Sequence, residues 1–289
     1  MTASLSQNQL ESIVIQAFTE EVNALKPGNV SRYAAGHNMS VEDFLKSAEQ
    51  VTPILCDPSL SVGERILSSV QATFSGVGCN TNLGMVLLFA PVLKVVQEMK
   101  IFNINTLQKN IKKLIKNINV DESRLIFKAI SLANPGGLGQ SEQYDVHLAP
   151  DCTVWQAMEL ASNRDSIAKQ YVNGLHEVFH SGLVKINSYN QRWKSVEWAT
   201  VACYLDLLSD LIDSHVARKQ GLPVAEQTRA KAKSVARKLE NYDNPVEATD
   251  LLLEFDRELK QSNINPGTTA DLTAASLLIF GLYKFRDCR

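Results

Sequence analysis

The sequence has few of the residues that break helices or cross-link a chain. Its 14 glycines and 9 prolines in 289 residues fall below the roughly 12% that these two residue types supply in an average protein, so we expect few loops and long helices. The cysteines include no Cys-x-x-Cys pair, and therefore nothing indicates a zinc site or a redox motif. They are Cys56, Cys79, Cys152, Cys203 and Cys288. Reduced thiols in a cytoplasmic protein are the simplest interpretation.

The sequence also has no excess of basic charge and no long apolar run. Its 29 Lys and Arg residues are balanced by 31 Asp and Glu residues, which argues against nucleic acid as a partner. The longest apolar stretches, Leu83–Leu93 and Leu272–Tyr283, are shorter than the roughly 20 residues that cross a bilayer. The first residues lack the basic and apolar regions of a secretory signal. We therefore expect neither export nor a membrane association.

Apolar residues recur at intervals of three and four along most of the chain, the spacing of amphipathic helices. The most regular of these helices is predicted from Val196 to Ile212, and a short one after Ser40 is predicted to stop at Pro53. Further helix starts are predicted from N-cap and capping-box patterns at Ser61, Thr153, Asn163 and Asn244. No stretch shows several adjacent alternating strands. The sequence predicts an all-α fold with a single multi-helix domain over residues 1–289.

Four irregular segments interrupt the helices and concentrate small, polar and charged residues. In the first, from Glu20 to Met39, two cations flank a Pro-Gly turn, Lys26 before it and Arg32 after it. The backbone of such a turn can approach a ligand closely, because glycine carries no side chain. The alternative is a simple helix stop with two surface cations.

The second segment, from Ser75 to Gly84, is rich in glycine and leads directly into an apolar helix. The first N–H groups of a helix and its positive dipole end favour a phosphate. The segment matches neither a Walker A loop nor a dinucleotide fingerprint. The alternative is that Asn82 only caps a buried helix.

The third segment is acidic. Asp206, Asp210 and Asp213 have the spacing i, i+4 and i+7, which would place three carboxylates along one helix face. Mg²⁺ usually takes one or two carboxylates and completes its shell with water and phosphates. The alternative is a solvent-facing stripe. His215 and Arg218 follow and add donors that suit phosphate.

The fourth segment, from Asn263 to Leu272, repeats the pattern of a turn that leads into a helix. Asp271 lies three residues after Thr268, the spacing of a capping-box acid favoured by the helix dipole. It could instead bind a metal ion or position a sugar hydroxyl. Spacing does not separate these alternatives.

Taken together and in order, these segments resemble those of the triphosphoribosyl-dephospho-CoA synthase family. The Lys-Pro-Gly-Leu-Val-Asp-Arg element of the family is similar to residues 26–32, and its later Gly-x-His element to Gly36-His37. Its Gly-Val-Asn-Thr-His-Lys-Gly loop is similar to residues 78–84, and its Asp-Thr-Asn helix end to residues 213–215. Its Asn-x-Ser-Pro-Gly-Gly-Ser-Ala-Asp-Leu element is similar to residues 263–272.

The resemblance implies an all-α transferase of the cytoplasm. In the reaction of the family, ATP loses adenine and its triphosphoribosyl group passes to the 2′-hydroxyl of dephospho-CoA. The product is the precursor of a prosthetic group of acyl carrier subunits, so the implied role is cofactor biosynthesis. The implied partners are ATP or a related nucleotide and dephospho-CoA or another small acceptor. The sequence leaves open whether the chain is a monomer or a homo-oligomer.

The resemblance also assigns roles to residues of this chain. Asp213, Asp271 and His37 are expected to be catalytic, Asp213 as metal ligand or general base and His37 as acid or positioning donor. Mg²⁺ is the expected cofactor, with Asp213 and Glu21 as its ligands. The residues expected to bind substrate phosphates are Lys26, Gly28, Arg32, Asn80, Thr81, Asn82, Gly84, His215, Arg218, Pro266, Gly267 and Thr268.

The chain departs from the family pattern at several of these positions. Asn82-Leu83 replaces a His-Lys pair, Ser31 replaces an Asp, and His215 replaces an Asn. Two alternatives to the family reaction follow. The first is a divergent member that acts in the synthesis of another cofactor, such as a pterin or furan one-carbon carrier. The second is a noncatalytic nucleotide-binding protein.

Overall fold

The structure is a computed structural model of the chain, and it describes residues 5–33, 39–99, 102–135 and 151–287. Most residues in these ranges are helical and none lies in a β-strand, which confirms the predicted all-α fold. The α-helices are α1 (Gln7–Asn23), α2 (Val41–Leu55), α3 (Val62–Val77), α4 (Leu83–Glu98), α5 (Ile104–Lys116), α6 (Val120–Ala133), α7 (Val154–Ala161), α8 (Ser166–Asn173), α9 (Leu183–Trp193), α10 (Val196–Asp210), α11 (Ser214–Gln220), α12 (Leu222–Leu239), α13 (Thr249–Gln261) and α14 (Gly267–Asp287). A π-helical turn, Val178–Gly182, precedes α9, and a 3₁₀ turn, Pro245–Ala248, precedes α13.

The chain divides into two compact units. The first unit comprises Met1–Gln16, Lys46–His176 and Gly281–Arg289, and the second comprises Ala17–Leu45 and Glu177–Phe280. Helices α1, α2 and α14 contribute residues to both units. The division therefore does not follow a linker that the sequence could have revealed, and a single domain over residues 1–289 stays a prediction.

Two of the predicted capping boxes are formed. The Ser61 hydroxyl accepts from the N–H of Glu64 at 3.3 Å, and the Glu64 carboxylate accepts from the N–H of Ser61 at 2.8 Å. Thr153 and Gln156 make the same pair of bonds at the start of α7. Each box satisfies two N–H groups that would otherwise have no partner within the helix.

Besides the end of α10, three predicted helix boundaries are wrong. Asp165, not Asn163, caps α8, because its carboxylate accepts from the first free N–H groups of that helix. Asn244 caps the short 3₁₀ turn and not the α-helix that follows it. Pro53 lies inside α2, which continues to Leu55.

The core of the first unit is built around α4. Twelve of the 16 residues of this helix are buried, as its apolar sequence predicts, and it packs against α3, α5 and α8. Burial on most sides of a helix is typical of a central core element. No helix in the described ranges is both long enough and apolar enough to span a membrane.

The core of the second unit is built around α10, which packs against α9 and α12. Ten of its 15 residues are buried. The helix ends at Asp210 and not at Ile212, because Leu211 adopts an extended conformation with φ −112° and ψ 151°. Asp213 is therefore not on α10. The prediction that three carboxylates share one face of this helix is wrong.

Candidate functional site

The Pro27-Gly28 turn of the first segment lies directly on the fourth segment, and both belong to the second unit. Gly28 has a φ of 82°, in the region that favours glycine. A Cβ atom on Gly28 would lie 2.9 Å from the carbonyl oxygen of Ile264 and 2.9 Å from Cδ of Pro266. The close approach predicted at Gly28 is therefore found. It is an approach to the fourth segment of the protein, whereas the prediction concerned a ligand.

Lys26 is completely buried beneath this turn. Its amine donates to the carbonyl oxygens of Glu21 at 2.6 Å and Val30 at 2.9 Å, and it lies 3.1 Å from a carboxylate oxygen of Glu21. Burial lowers the pKa of Lys26 and raises the pKa of Glu21, while their mutual attraction opposes both shifts. The ammonium is thus held by two hydrogen bonds to carbonyl oxygens and by the charge of the neighbouring carboxylate. A phosphate contact of Lys26 stays a prediction, and it requires the amine to leave these partners.

Two residues that the sequence did not single out hold the backbone of the turn. The N–H of Gly28 donates to Oδ1 of Asp256 at 2.8 Å. The Tyr204 hydroxyl donates to the carbonyl oxygen of Pro27 at 2.7 Å. Both side chains are buried, Asp256 on α13 and Tyr204 on α10. No pattern in the sequence identifies them, since Tyr204 follows the apolar period of α10 and Asp256 resembles a surface acid.

A side-chain hydrogen bond also joins the first and fourth segments. The amide of Asn29 donates to Oδ1 of Asn265 at 2.8 Å. Asn29 is buried, and Asn265 is half-buried at the turn that precedes α14. Two asparagine positions that lie 236 residues apart in the sequence are therefore in direct contact.

Asp213 joins the third segment to the fourth. It is the N-cap of α11, where Oδ1 accepts from the N–H of Val216 at 3.0 Å. Oδ2 accepts from the N–H of Thr269 at 2.8 Å and from its hydroxyl at 2.7 Å. Burial raises the pKa of Asp213, and these donors oppose that rise. One carboxylate thus occupies the anion position at the start of two helices.

Further contacts between these two segments surround Asp213. The hydroxyls of Ser214 and Thr268 lie 3.1 Å apart and are both buried. Gly267 begins α14 beside His215, and a Cβ atom on this glycine would lie 3.2 Å from the ring Nδ1. Thr268, Gly267 and His215, three of the predicted substrate contacts, are therefore neighbours.

Asp271 is the fifth residue of α14, because the helix begins at Gly267. The third helical position is held by Thr269, so the capping-box interpretation of Asp271 is wrong. The side chain of Asp271 is half-buried, whereas that of Asp213 is buried. Of the two acids predicted to be catalytic, Asp271 is the one that solvent reaches.

The two arginines predicted to bind phosphate are partly exposed. Arg32 is 48% exposed and its guanidinium lies 2.6 Å from the Glu197 carboxylate, which also accepts from the Tyr33 hydroxyl at 2.7 Å. Arg218 is half-buried in the last turn of α11. Each retains solvent access that Lys26 lacks.

The second segment lies in the first unit, where it begins α4. Oδ1 of Asn80 accepts from the N–H of Leu83 at 3.1 Å, whereas Asn82 holds the N-cap position but makes no capping hydrogen bond with its side chain. Oδ1 of Asn82 accepts from the Thr73 hydroxyl at 3.1 Å, and its buried Nδ2 has no partner in the described structure. Gly84 is half-buried in the first turn of the helix. The alternative that Asn82 serves only as a cap is wrong.

The Thr81 hydroxyl of the same segment is turned towards the protein. It donates to the hydroxyl of Ser47 at 2.9 Å, and both residues are buried. This bond uses the only proton of the Thr81 hydroxyl. A phosphate contact through the side chain of Thr81 stays a prediction, and it requires this bond to break.

The other acids of the third segment are separate from Asp213. Asp206 is buried, pairs with Lys185 at 2.8 Å and accepts from the Tyr189 hydroxyl at 3.2 Å. Burial raises the pKa of Asp206, and the ammonium of Lys185 opposes that rise. Asp210 is the exposed last residue of α10. Asp206 therefore belongs to a polar network between α9 and α10.

Neither predicted metal ligand has a carboxylate that is free to bind a cation in this conformation. Glu21 is 1% exposed and paired with Lys26, and Asp213 accepts the three hydrogen bonds described above. Within residues 5–33, 39–99, 102–135 and 151–287, no group of three His, Cys, Asp or Glu side chains is placed to hold a metal ion. These two residues do not fit a magnesium site as they stand. The predicted catalytic residue His37 lies outside the described residues.

The second unit thus brings three of the four segments together through direct contacts. Asn29 reaches the fourth segment at Asn265, and Asp213 reaches it at Thr269. At the start of α14 the N–H and hydroxyl of Thr269 are bound by Asp213, and the hydroxyl of Thr268 contacts that of Ser214.

Comparison with known proteins identifies the family of this chain. The sequence profile of the family described as CitG, ATP:dephospho-CoA triphosphoribosyl transferase, matches residues 7–287. The fold is similar to a crystal structure of a proposed triphosphoribosyl-dephospho-CoA synthase from Archaeoglobus fulgidus, with a TM-score of 0.63, 22% identity, and coverage of 82% of this chain and 97% of that one. No curated protein matches the sequence. Because the profile covers nearly the whole chain, this protein belongs to the ATP:dephospho-CoA triphosphoribosyl transferase family and is an enzyme of that type.

Proposed function

We propose that this enzyme transfers the triphosphoribosyl group of ATP to the 2′-hydroxyl of dephospho-CoA and releases adenine. The observation that carries the proposal is the family match over residues 7–287. The contacts among the three segments of the second unit support it, because they bring residues that the family resemblance assigns to substrate binding, such as Gly267, Thr268 and His215, next to each other. The proposal places the reaction in the cytoplasm, in the synthesis of a carrier-protein cofactor.

The reaction is a substitution at the anomeric carbon of the ribose. The bond from C1′ to N9 of adenine breaks, and a bond from C1′ to the acceptor oxygen forms. The proton of the acceptor hydroxyl leaves to a base, and adenine gains a proton as it departs. Positive charge develops on the ribose in the transition state, as in glycoside hydrolysis. A carboxylate can both accept the proton and stabilise that charge.

Asp271 is the acid that we propose for this role. It is half-buried on the first turns of α14, in the same segment as Thr268 and Thr269. Asp213 has a different task in the proposal, since its carboxylate already accepts three hydrogen bonds. It fixes the start of α14, and with it the place of Asp271. His37 remains the candidate donor to adenine.

The triphosphate would be bound by cations with solvent access. Among the residues predicted to bind phosphate, Arg32 and Arg218 meet this condition, and His215 lies beside the start of α14. Arginine binds phosphate oxygens in a bidentate manner, which fixes both position and charge. These residues only bind the phosphate oxygens. No group attacks phosphorus, so the three phosphates remain on the ribose. In the first unit, the start of α4 with Asn80 and Asn82 stays a predicted phosphate contact.

We propose that Mg²⁺ binds together with the nucleotide. When bound to the phosphates it would neutralise part of their charge, and it would require few carboxylates from the protein. Because Glu21 and Asp213 are engaged, we assign it no ligand in this chain. Whether the chain assembles as a homo-oligomer has no bearing on the proposal, since the three joined segments all belong to one chain.

Two other functions would use the same site. A divergent family member could transfer a phosphoribosyl group to the precursor of another cofactor, and the replacement of the family's His-Lys pair by Asn82 and Leu83 is the observation that favours it. A noncatalytic nucleotide-binding protein would keep the arginines but not need Asp271. The genes next to this one separate the first alternative from the family reaction, because carrier-protein lyase or decarboxylase genes would accompany the latter.

The test is to incubate the protein with ATP, Mg²⁺ and dephospho-CoA and to measure free adenine by chromatography. We expect adenine only when both substrates are present, and we expect Asp271→Asn to lower its rate at least about 100-fold, as loss of a general base does. Glu258→Gln, an exposed acid on α13, is the control. Binding of ATP without any release of adenine would reject the family reaction and favour the noncatalytic alternative.

A further inference from the structure

Asp256 occupies an unusual position for an acid that no motif includes. It lies on α13, is 4% exposed, and is 228 residues away in the sequence from the N–H group that it contacts. Its carboxylate accepts from the N–H of Gly28 and lies 3.0 Å from the ammonium of Lys260. A buried carboxylate is retained at a considerable desolvation cost unless its partners compensate for it. The two partners here are a backbone group of the first segment and a neighbouring lysine.

The geometry of the turn explains why that backbone group needs a fixed acceptor. Gly28 has a positive φ and its α-carbon faces Ile264 and Pro266 so closely that a Cβ atom would not fit. Inside such a packed turn an N–H group without an acceptor would lose its hydrogen bond to water and gain none from the protein. Asp256 supplies this acceptor at 2.8 Å, while Tyr204 supplies a donor to the preceding carbonyl group. The turn is thus bound from both sides along its backbone.

The fixed turn determines the position of the residues that follow it. Asn29 directly follows Gly28 and contacts Asn265, and Arg32 is only four residues beyond Gly28. A change in the turn would therefore alter both the contact with the fourth segment and the place from which Arg32 extends. Asp256 itself is too buried to contact a nucleotide in this conformation.

We propose that Asp256 is a positioning residue of the transferase, which holds the Pro27-Gly28 turn so that the Lys26–Arg32 segment can bind the triphosphate of ATP. This inference rests on the proposed function. It adds a residue outside the four segments to the site, and it identifies the hydrogen bond from the N–H of Gly28 to its side-chain oxygen as the means by which that residue acts.

The test compares Asp256→Ala, Asp256→Asn and Lys260→Met with the wild-type enzyme. Asp256→Ala removes the acceptor, Asp256→Asn keeps an oxygen for the N–H of Gly28, and Lys260→Met removes only the charged neighbour. Glu258→Gln is the matched control, since Glu258 lies on the same helix, is 52% exposed and pairs with Lys231. Hydrogen exchange of the peptide that contains residues 27–32 is measured together with the kinetics of adenine release.

For Asp256→Ala we expect faster exchange in residues 27–32 and a roughly tenfold or greater rise in KM for ATP. KM for dephospho-CoA and kcat should stay within about twofold, because the lost interaction is one of binding to ATP in both ground and transition states. Asp256→Asn should restore most of the protection and of the affinity for ATP, and Lys260→Met should have less effect than Asp256→Ala. A role confined to stability would not raise KM for one substrate alone.

Unchanged exchange in residues 27–32 of Asp256→Ala would overturn the proposal, as would equal effects of Asp256→Ala and Asp256→Asn. If Asp256→Ala does not fold, the other two variants decide. The proposal is then overturned if Lys260→Met raises KM for ATP and the exchange of residues 27–32 more than Asp256→Asn does. The exchange measurement does not need turnover. A wild-type protein that releases no adenine would therefore reject the proposed function while the positioning of the turn is still decided.

Discussion

Asp213 and Thr269 are joined by two hydrogen bonds to a single carboxylate oxygen, one from the N–H of Thr269 at 2.8 Å and one from its hydroxyl at 2.7 Å. The other oxygen of Asp213 caps α11. The start of α14 is thus satisfied by an acid of the protein, at a place where the sequence alone indicated an external anion. Through these hydrogen bonds, Asp213 primarily connects the third segment of the site to the fourth.

The hydrogen bonds of Asp213 should contribute to the stability of the fold, which is the first prediction. Asp213→Ala should lower the free energy of unfolding by about 3 kcal/mol or more, since it removes a helix cap and leaves buried donors without an acceptor. Thr269→Val should lower it by about 1 kcal/mol, because only the hydroxyl is lost. Denaturant unfolding followed by circular dichroism measures both values.

Asp210→Ala is the control for this prediction, because Asp210 is exposed at the end of α10. It should change the free energy of unfolding by no more than about 0.5 kcal/mol. If Asp213→Ala were as stable as this control and yet inactive, Asp213 would be a catalytic group and the structural role assigned to it would be wrong.

The second prediction concerns Gly28 and uses Gly78 as a matched control. Both glycines have a similar positive φ, 82° and 74°, so alanine at either position carries a comparable backbone strain of roughly 1 kcal/mol. A Cβ atom on Gly28 would meet a backbone oxygen at 2.9 Å, whereas one on Gly78 would meet nothing within 4 Å. Gly28→Ala should therefore destabilise the protein by about 2 kcal/mol more than Gly78→Ala. Equal losses in thermal unfolding would show that the turn is not packed on the fourth segment.

The third prediction concerns the buried pair of Glu21 and Lys26. Glu21→Gln or Lys26→Met alone should lower the free energy of unfolding by about 3–5 kcal/mol, because each leaves a buried charge without its partner. The double variant should lose clearly less than the sum of the two. Glu258 and Lys231, which are both 52% exposed, provide a control pair whose coupling should not exceed about 1 kcal/mol. Additive losses at Glu21 and Lys26 would contradict the pairing.

The fourth prediction concerns alkaline pH. Burial raises the pKa of the Cys56 thiol from 9.0 to about 12, so the folded protein holds this proton more tightly than the unfolded chain does. The stability due to this group is present below pH 9 and is lost as the pH rises towards 12, at about 1.4 kcal/mol per pH unit. Between pH 8 and pH 10 the unfolding free energy of Cys56→Ala should fall by about 1.4 kcal/mol less than that of the wild type.

Burial also raises the pKa of Cys203, so Cys203→Ala should change the alkaline dependence in the same direction. Parallel pH curves for the wild type and both variants would show that these thiols ionise equally well in the folded state. The unfolding free energies come from urea titrations at each pH.

The sequence was sufficient for the fold class, and three of the four segments that it singled out are in contact within the second unit. Helical periodicity and capping boxes such as Ser61 with Glu64 depend on residues that are close in sequence, and these predictions are confirmed. Boundaries such as the end of α10 were less accurate. Leu211 and Ile212 continue the apolar period of that helix, although the backbone has already become extended.

The partners of the site residues could not be predicted. Lys26, Asp213 and Gly28 attract attention in the sequence as groups that suit a ligand, but their partners in the structure are Glu21, Thr269 and Ile264. These contacts, apart from the one with Glu21, depend on the tertiary fold and have no signature in spacing or composition. Asp256 was missed for the same reason, since the sequence does not distinguish a buried aspartate from an exposed one.

The central claim is that the enzyme moves the triphosphoribosyl group of ATP as a whole, and ATP labelled with ³²P in the γ-phosphate and ¹⁴C in adenine tests it most directly. With dephospho-CoA as acceptor, we predict that all ³²P transferred appears in one larger CoA derivative and that ¹⁴C appears in free adenine in equal molar amount. Release of ³²P as inorganic phosphate, with ¹⁴C retained in ADP, would show phosphoryl chemistry and contradict the account.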